Sequence, residues 1–138
     1  MAKDKDHYLV KEALVKDGWV ITHDPFFITT PGVPYEADLG AEKLLAATKG
    51  KKRIVIEIKT FQKASKVYEF HLVVGQFHNY KIGIAEIEPD RTLYIAMPEE
   101  AYSELFQYPI IQKSAEAIGL NLIIYDPEKI EIIKWIKK

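Results

Sequence analysis

Cysteine is absent from the 138 residues, so disulfides, thiolate catalysis and thiolate metal sites are all excluded. Apolar runs are short, well below the roughly 18 residues that suggest a membrane span. The start, Met1-Ala2-Lys3-Asp4-Lys5-Asp6-His7, is charged and no apolar segment follows it, so no signal peptide is expected. The chain reads as soluble and cytoplasmic. An excess of either charge is also missing: 19 Lys and Arg stand against 20 Asp and Glu, which disfavours a nucleic-acid binder that works by bulk electrostatics. Glycine and proline, seven of each, form no phosphate-binding loop, nucleophile elbow or dinucleotide site. Histidine is scarce and scattered. On a helix His71 and His78 would stand about 10.5 Å apart, too far to share a metal. His23 falls in a turn signal and His7 near the chain end, so none of these is expected to carry chemistry.

What remains is ordinary globular composition, 48% apolar and 28% charged, expected to form one domain over residues 1–138. A first helix is predicted from Asp6 to Lys16, with Val10, Leu14 and Tyr8 on its buried side and Gly18 beyond its end. Trp19–Thr22 reads as a strand, Phe26–Thr29 as a short second one, and Thr30-Pro31-Gly32-Val33-Pro34 as a loop. Glu36–Leu39 should be extended. Residues 41–47 are helix formers by propensity, yet an arm of a hairpin leading through Gly50 into the next strand also fits; the hairpin arm is the reading preferred here. Residues 54–59 form a strand, and 64–83 have helical spacing with Val67, Phe70, Val74 and Phe77 as the apolar stripe. A strand at Leu93–Met97, helices at Glu99–Phe106 and Pro109–Ile118, and strands at Leu120–Tyr125 and Ile130–Trp135 complete the pattern. Interleaved strands and helices predict an α/β (mixed α+β) fold with a central mixed sheet flanked by helices.

The chemistry concentrates on the strand Ile54-Val55-Ile56-Glu57-Ile58-Lys59. Alternation puts Glu57 and Lys59 on one face and Ile54, Ile56 and Ile58 on the other. Glu-x-Lys alone is weak, and an exposed polar strand face would produce it equally well. Its context is Asp38 on a preceding apolar stretch. Two carboxylates and a lysine on neighbouring strands suffice to hold Mg²⁺ or Mn²⁺ and activate a water beside a phosphodiester; hard oxygen donors favour those ions over Zn²⁺. Asp38 and Glu57 are the candidate metal ligands, Lys59 the residue that orients water. Gln76 and Tyr80, one turn apart on the following helix, could reach this site or a nucleic-acid backbone. From Lys49 to Lys66 seven cations occupy eighteen positions, with Glu57 the one acid among them. Lys51, Lys52, Arg53, Lys63 and Lys81, with Tyr80, are therefore the candidate DNA-contacting residues. Glu12 is either a further metal ligand or a surface carboxylate.

Several blocks are shared with a known family. Lys16-Asp17-Gly18-Trp19, Thr22-His23-Asp24-Pro25, Asp38-Leu39-Gly40-Ala41-Glu42-Lys43, Glu57-Ile58-Lys59, Gly75-Gln76-Phe77, Glu88-Pro89-Asp90-Arg91 and Tyr125-Asp126-Pro127 resemble the XisH family in order and spacing over nearly the whole chain. The resemblance implies a cyanobacterial controlling factor for fdxN element excision by a site-specific recombinase, alongside a XisI-like partner. It further implies an architecture similar to PD-(D/E)xK restriction-endonuclease-like proteins and Holliday-junction resolvases. Carried over, Asp38 stands at the metal-binding aspartate, with Ala37 in place of the proline before it. Glu57 and Lys59 complete the motif, Gln76 matches a glutamine of the following helix, and Glu12 lies in the region of a first-helix acid. Two function classes follow: a Mg²⁺-dependent endonuclease acting on DNA, or a non-catalytic accessory protein using the fold to bind DNA, the recombinase or the partner. With so modest a basic stretch, self-association into a homo-oligomer or a protein partner is expected to extend the DNA-contacting surface.

Overall fold

The computed structural model describes residues 5–46, 50–62 and 64–138. Its elements in chain order are α1 (Lys5–Lys16), β1 (Val20–His23), β2 (Phe26–Thr30), β3 (Val33–Ala37), β4 (Leu39–Ala46), β5 (Gly50–Ile58), α2 (Lys66–Ile87), β6 (Arg91–Pro98), α3 (Glu99–Leu105), α4 (Pro109–Ile118), β7 (Leu122–Asp126) and β8 (Glu131–Ile136). Six strands form a mixed sheet in the order β1-β4-β5-β6-β7-β8, and β2 and β3 form a separate hairpin. The β5–β6 and β6–β7 pairs are parallel and the remaining pairs antiparallel. The parallel connections need crossovers, which α2 and the α3–α4 pair supply.

Apolar alternation along β5 builds two cores. Ile54 and Ile56 pack with Val10 and Leu14 of α1, Trp19, Leu39 and Tyr94. Val55 faces Phe70, Phe77 and Ile84 of α2 and the hairpin residues Phe26 and Ile28. The central strand is thus covered on both faces, and Glu57 lies in its interior portion. A solvated polar strand face does not describe it.

Several boundaries differ from the sequence reading. Val33 and Pro34 belong to β3 rather than to a loop; an edge strand tolerates Pro34 because no neighbour needs its missing N–H. The extended stretch expected at residues 36–39 is broken at Asp38, where the chain leaves the hairpin and enters the main sheet. Residues 41–46, by contrast, are strand as preferred from the sequence, the hairpin arm: register with β5 overrides their helical propensity, and Ala47 lies outside the described residues. On α2 the buried stripe is Phe70, Val73, Phe77, Tyr80 and Ile84, while Val67 is exposed and Val74 half-buried. The hairpin laid across α2 shifts that stripe, which a helix read in isolation does not reveal. Tyr8 is exposed, and the buried side of α1 is His7, Val10, Ala13 and Leu14. No helix among the described residues is long and apolar enough to cross a membrane.

Two glycines of α2 give opposite expectations. A Cβ on Gly83 would stand 2.7 Å from Ile28 Cγ2, so this glycine sets how closely α2 meets β2. Nothing lies within 4 Å of a Cβ on Gly75. Gly83→Ala should destabilise by about 1–3 kcal/mol, and Gly75→Ala should stabilise by about 1 kcal/mol through helix propensity. Urea denaturation of both variants checks this pair.

Candidate active site

Strand register brings the predicted residues together. Leu39 pairs with Ile56 across β4 and β5, which places Asp38 opposite Glu57. The bend at Asp38 lets its backbone and side chain bond to two different partners. Its N–H donates to Glu57 Oε1 at 3.2 Å, and its Oδ2 accepts the Ile58 N–H at 2.7 Å. Lys59 Nζ lies 3.2 Å from Glu57 Oε2. From α2, Gln76 Nε2 donates to Glu57 Oε2 at 3.1 Å and to the Tyr80 hydroxyl at 2.9 Å. The Tyr80 hydroxyl in turn donates to the Glu36 carbonyl at 3.1 Å, tying α2 to β3. Asp38, Glu57, Lys59, Gln76 and Tyr80 therefore form one connected network at the carboxyl end of the central strand.

Burial governs its electrostatics. The Glu57 side chain is 9% exposed, against 34% for Asp38 and 29% for Lys59. Desolvation raises the Glu57 pKa from 4.5 to about 7; repulsion from Asp38 adds to this, and Lys59 partly offsets it. Desolvation also raises the Tyr80 pKa, so its hydroxyl keeps the proton it donates to Glu36.

The donor set fits a hard divalent cation. Two carboxylates meet where one is kept from ionising by burial and by the other, a conflict that a dication relieves. Among the described residues no three His, Cys, Asp or Glu side chains surround one position. Two carboxylates with water in the remaining positions are what Mg²⁺ commonly uses.

The predicted DNA-contacting cations lie elsewhere. Lys51, Lys52 and Arg53 begin β5, four to six residues and roughly 13–20 Å from Glu57 along the strand. Lys51 pairs with Glu42 at 2.9 Å, Arg53 with Asp90 at 3.1 Å, and Lys52 lies over the rings of Tyr94 and Trp135. The Lys51 hydrogen bond holds the Glu42 carboxyl below its ordinary range. Lys81 lies over Phe77, and Tyr80 is buried, so its ring is core rather than a stacking platform. Lys63 and Lys49 lie outside the described residues.

A sequence model described as XisH protein matches residues 1–133. The chain belongs to the XisH family. No curated protein matches it. Two solved structures are similar to this XisH chain over almost its whole length. A XisH family protein from Nostoc punctiforme PCC 73102 is 36% identical with a TM-score of 0.88, covering 97% of this chain and 100% of its own. A fdxN element excision controlling factor protein from Anabaena variabilis is 38% identical with a TM-score of 0.86, covering 95% and 97%.

One XisH residue at the site was not expected from the sequence. Glu12 is exposed, and its position is about 140° around α1 from His7. His7 is buried inside α1 instead of near a loose chain end, with Nδ1 3.7 Å from Asp38 Oδ1. Its Nε2 lies 2.7 Å from Asp24 Oδ1, and Lys11 Nζ holds the other Asp24 oxygen at 2.7 Å. The available signal was spacing: His7, Val10 and Leu14 share one helical stripe, so His7 had to face the sheet.

Proposed function

We propose that this XisH protein takes part in excision of a DNA element, as an fdxN-type controlling factor, and that its site is a divalent-metal-dependent endonuclease centre of the PD-(D/E)xK kind. The observation that carries the reading is the convergence of Asp38, Glu57, Lys59 and Gln76 at the end of a strand buried on both faces. Asp38 and Glu57 would hold Mg²⁺ or Mn²⁺, which when bound lowers the pKa of a water and neutralises phosphate charge. Lys59 orients the attacking water and stabilises the charge that builds on the phosphate as a P–O bond to the incoming oxygen forms and a bridging P–O bond breaks. Gln76, pinned by Tyr80, fixes the Glu57 carboxylate. DNA is the substrate proposed; a XisI-like protein and a site-specific recombinase are the proposed partners, with self-association extending the DNA-contacting surface.

A second reading has its own observation. Both Glu57 oxygens are already bonded, to the Asp38 N–H, Gln76 and Lys59, and such a closed network could be a structural lock in a non-catalytic binding protein. Incubation with duplex, branched and single-stranded DNA with and without Mg²⁺ separates the two. Divalent-dependent cleavage lost in Lys59→Ala supports the enzyme; DNA binding without cleavage of any substrate supports the accessory role. Light scattering after size exclusion, and co-purification with a XisI-like protein, check the assembly.

A further inference from the structure

α1 packs over Ile54 and Ile56 of β5 and ends at Lys16. Towards the start of β5 the same sheet face continues with Lys52, which alternation sets beside those isoleucines and on the face opposite Glu57. Strand register places Lys43 of β4 directly across from Lys52. Like charges in such a pair repel and weaken the sheet, so the fold itself gives no reason for both. Their neighbours are compensated, Lys51 by Glu42 at 2.9 Å and Arg53 by Asp90 at 3.1 Å. Among the described residues neither Lys43 nor Lys52 is paired with a carboxylate. Lys43 Nζ donates to the Asp17 backbone carbonyl at 2.7 Å, a neutral acceptor that leaves its charge standing.

Three aromatic rings lie beside these ammonium groups. Trp135 of β8 stacks on Trp19 with centroids 5.4 Å apart and meets Tyr94 edge-on at 5.1 Å. Lys52 Nζ stands 5.8 Å from the centroids of both Tyr94 and Trp135, and Lys43 Nζ 5.8 Å from that of Trp19. Trp19 and Tyr94 are buried, whereas Trp135 is half-buried, so it is the ring of the three that solvent reaches. Burial raises the Tyr94 pKa and the charge of Lys137 partly offsets this, so a third cation lies within electrostatic reach of the cluster. Asp17, the acid at the end of α1, accepts from Trp19 Nε1 at 3.3 Å.

Uncompensated cations around a solvent-reached indole match the chemistry of a nucleic-acid strand: phosphates meet the ammonium groups and an unstacked base meets the ring. A duplex keeps its base faces covered by its own stacking, so the ring favours single strands. We propose that Lys43, Lys52, Lys137 and Trp135 form a docking site for single-stranded DNA on the sheet face opposite the carboxylate centre. This deepens the reading of the chain as one that acts on DNA, and rests on it for the choice of DNA over RNA. Lys52 lies five residues from Glu57, roughly 17 Å along β5, so the site anchors a strand near the centre without supplying a reacting group.

The test titrates the full chain, Lys52→Gln and Trp135→Leu against a short labelled oligo(dT) and the same strand paired with oligo(dA), at several salt concentrations and in EDTA. Anisotropy of the label gives affinity, tryptophan emission reports on the ring, and circular dichroism checks folding. The wild-type chain should bind the single strand more tightly than the duplex, with its tryptophan emission quenched. Lys52→Gln should weaken binding and lower the slope of log K against log salt by about 0.7, the share of one single-strand phosphate. Trp135→Leu should weaken binding roughly tenfold and keep the wild-type slope. Wild-type affinity and slope in both variants overturn the site, as does a duplex bound more tightly than the single strand. Should Trp135→Leu not fold, the other two proteins decide: an undiminished slope in Lys52→Gln, or no quenching in the wild type, overturns the proposal. EDTA keeps the carboxylate centre out of the readout, so a failure here strikes the docking site alone, and a failure of divalent-dependent cleavage strikes the nuclease reading alone.

Discussion

Asp38→Asn is expected to abolish both divalent-dependent DNA cleavage and the rise in Tm that Mg²⁺ or Mn²⁺ produces, whereas Lys59→Ala should lose the cleavage and keep the Tm rise. The contrast follows from the roles that geometry allows. Asp38 is the vertex of the network, bonded to Ile58 N–H, contacting Glu57 through its own N–H and facing His7. Its neutral isostere removes one of the two carboxylates available to a cation, and the other, Glu57, is the one that burial raises. Lys59 carries charge of the opposite sign and cannot bind a cation; its ammonium, 3.2 Å from Glu57 Oε2, is available to developing phosphate charge. Losing a group that stabilises transition-state charge costs on the order of 10²–10³ in rate. Single-turnover cleavage at saturating Mg²⁺, beside thermal melts with and without the ion, measures both effects. A Lys59→Ala protein that cleaves at the wild-type rate would remove Lys59 from the chemistry. An Asp38→Asn protein with an undiminished Tm rise would place the ion elsewhere.

Much of the central sheet was legible from β5 outward. Its alternation placed Ile54 and Ile56 on one face and Glu57 on the other, and the register with β4 then had to bring Asp38 opposite Glu57. What failed to show was whatever depends on a second layer. The stripe of α2 runs through Val73 and Ile84 because the β2–β3 hairpin covers that helix, and Gly83 marks the closest approach. The strand at residues 41–46 is the hairpin arm preferred from the sequence, formed against their local helical propensity. The basic run from Lys49 to Lys66 is one cluster in sequence, but its described members part in space: Lys51 and Arg53 lie at the far end of β5, paired with Glu42 and Asp90, while Lys59 is at the site. His7 was discounted for its nearness to the chain end, although its spacing from Val10 and Leu14 already pointed inward.

The pH dependence of stability should carry the mark of Glu57. Its pKa is about 7 in the folded chain against an ordinary 4.5, a carboxyl raised on folding chiefly by desolvation and then by Asp38. Between those two values the folded protein binds more protons than the unfolded chain, so the contribution of Glu57 to stability falls as pH rises. It is most favourable below about pH 4.5 and fully lost above about pH 7, a difference of about 3 kcal/mol, or roughly 10 °C in Tm at this chain length. Glu57→Gln keeps a neutral amide in place at every pH. The stability of this variant minus that of the wild type should therefore grow by about that amount from pH 4.5 to 8, and the difference cancels the other titrating groups. Lys59→Met should move the wild-type transition to higher pH, because Lys59 is the group that favours the ionised carboxylate. Mg²⁺ opposes the decline by binding the ionised form, so its stabilising effect should increase over the same window and be smallest near pH 5. Urea denaturation at half-unit pH steps, with and without Mg²⁺, measures all three trends. A wild-type and Glu57→Gln pair whose stability difference stays level from pH 4.5 to 8 would show that Glu57 ionises normally and that the site lacks the strain on which its affinity for a cation depends.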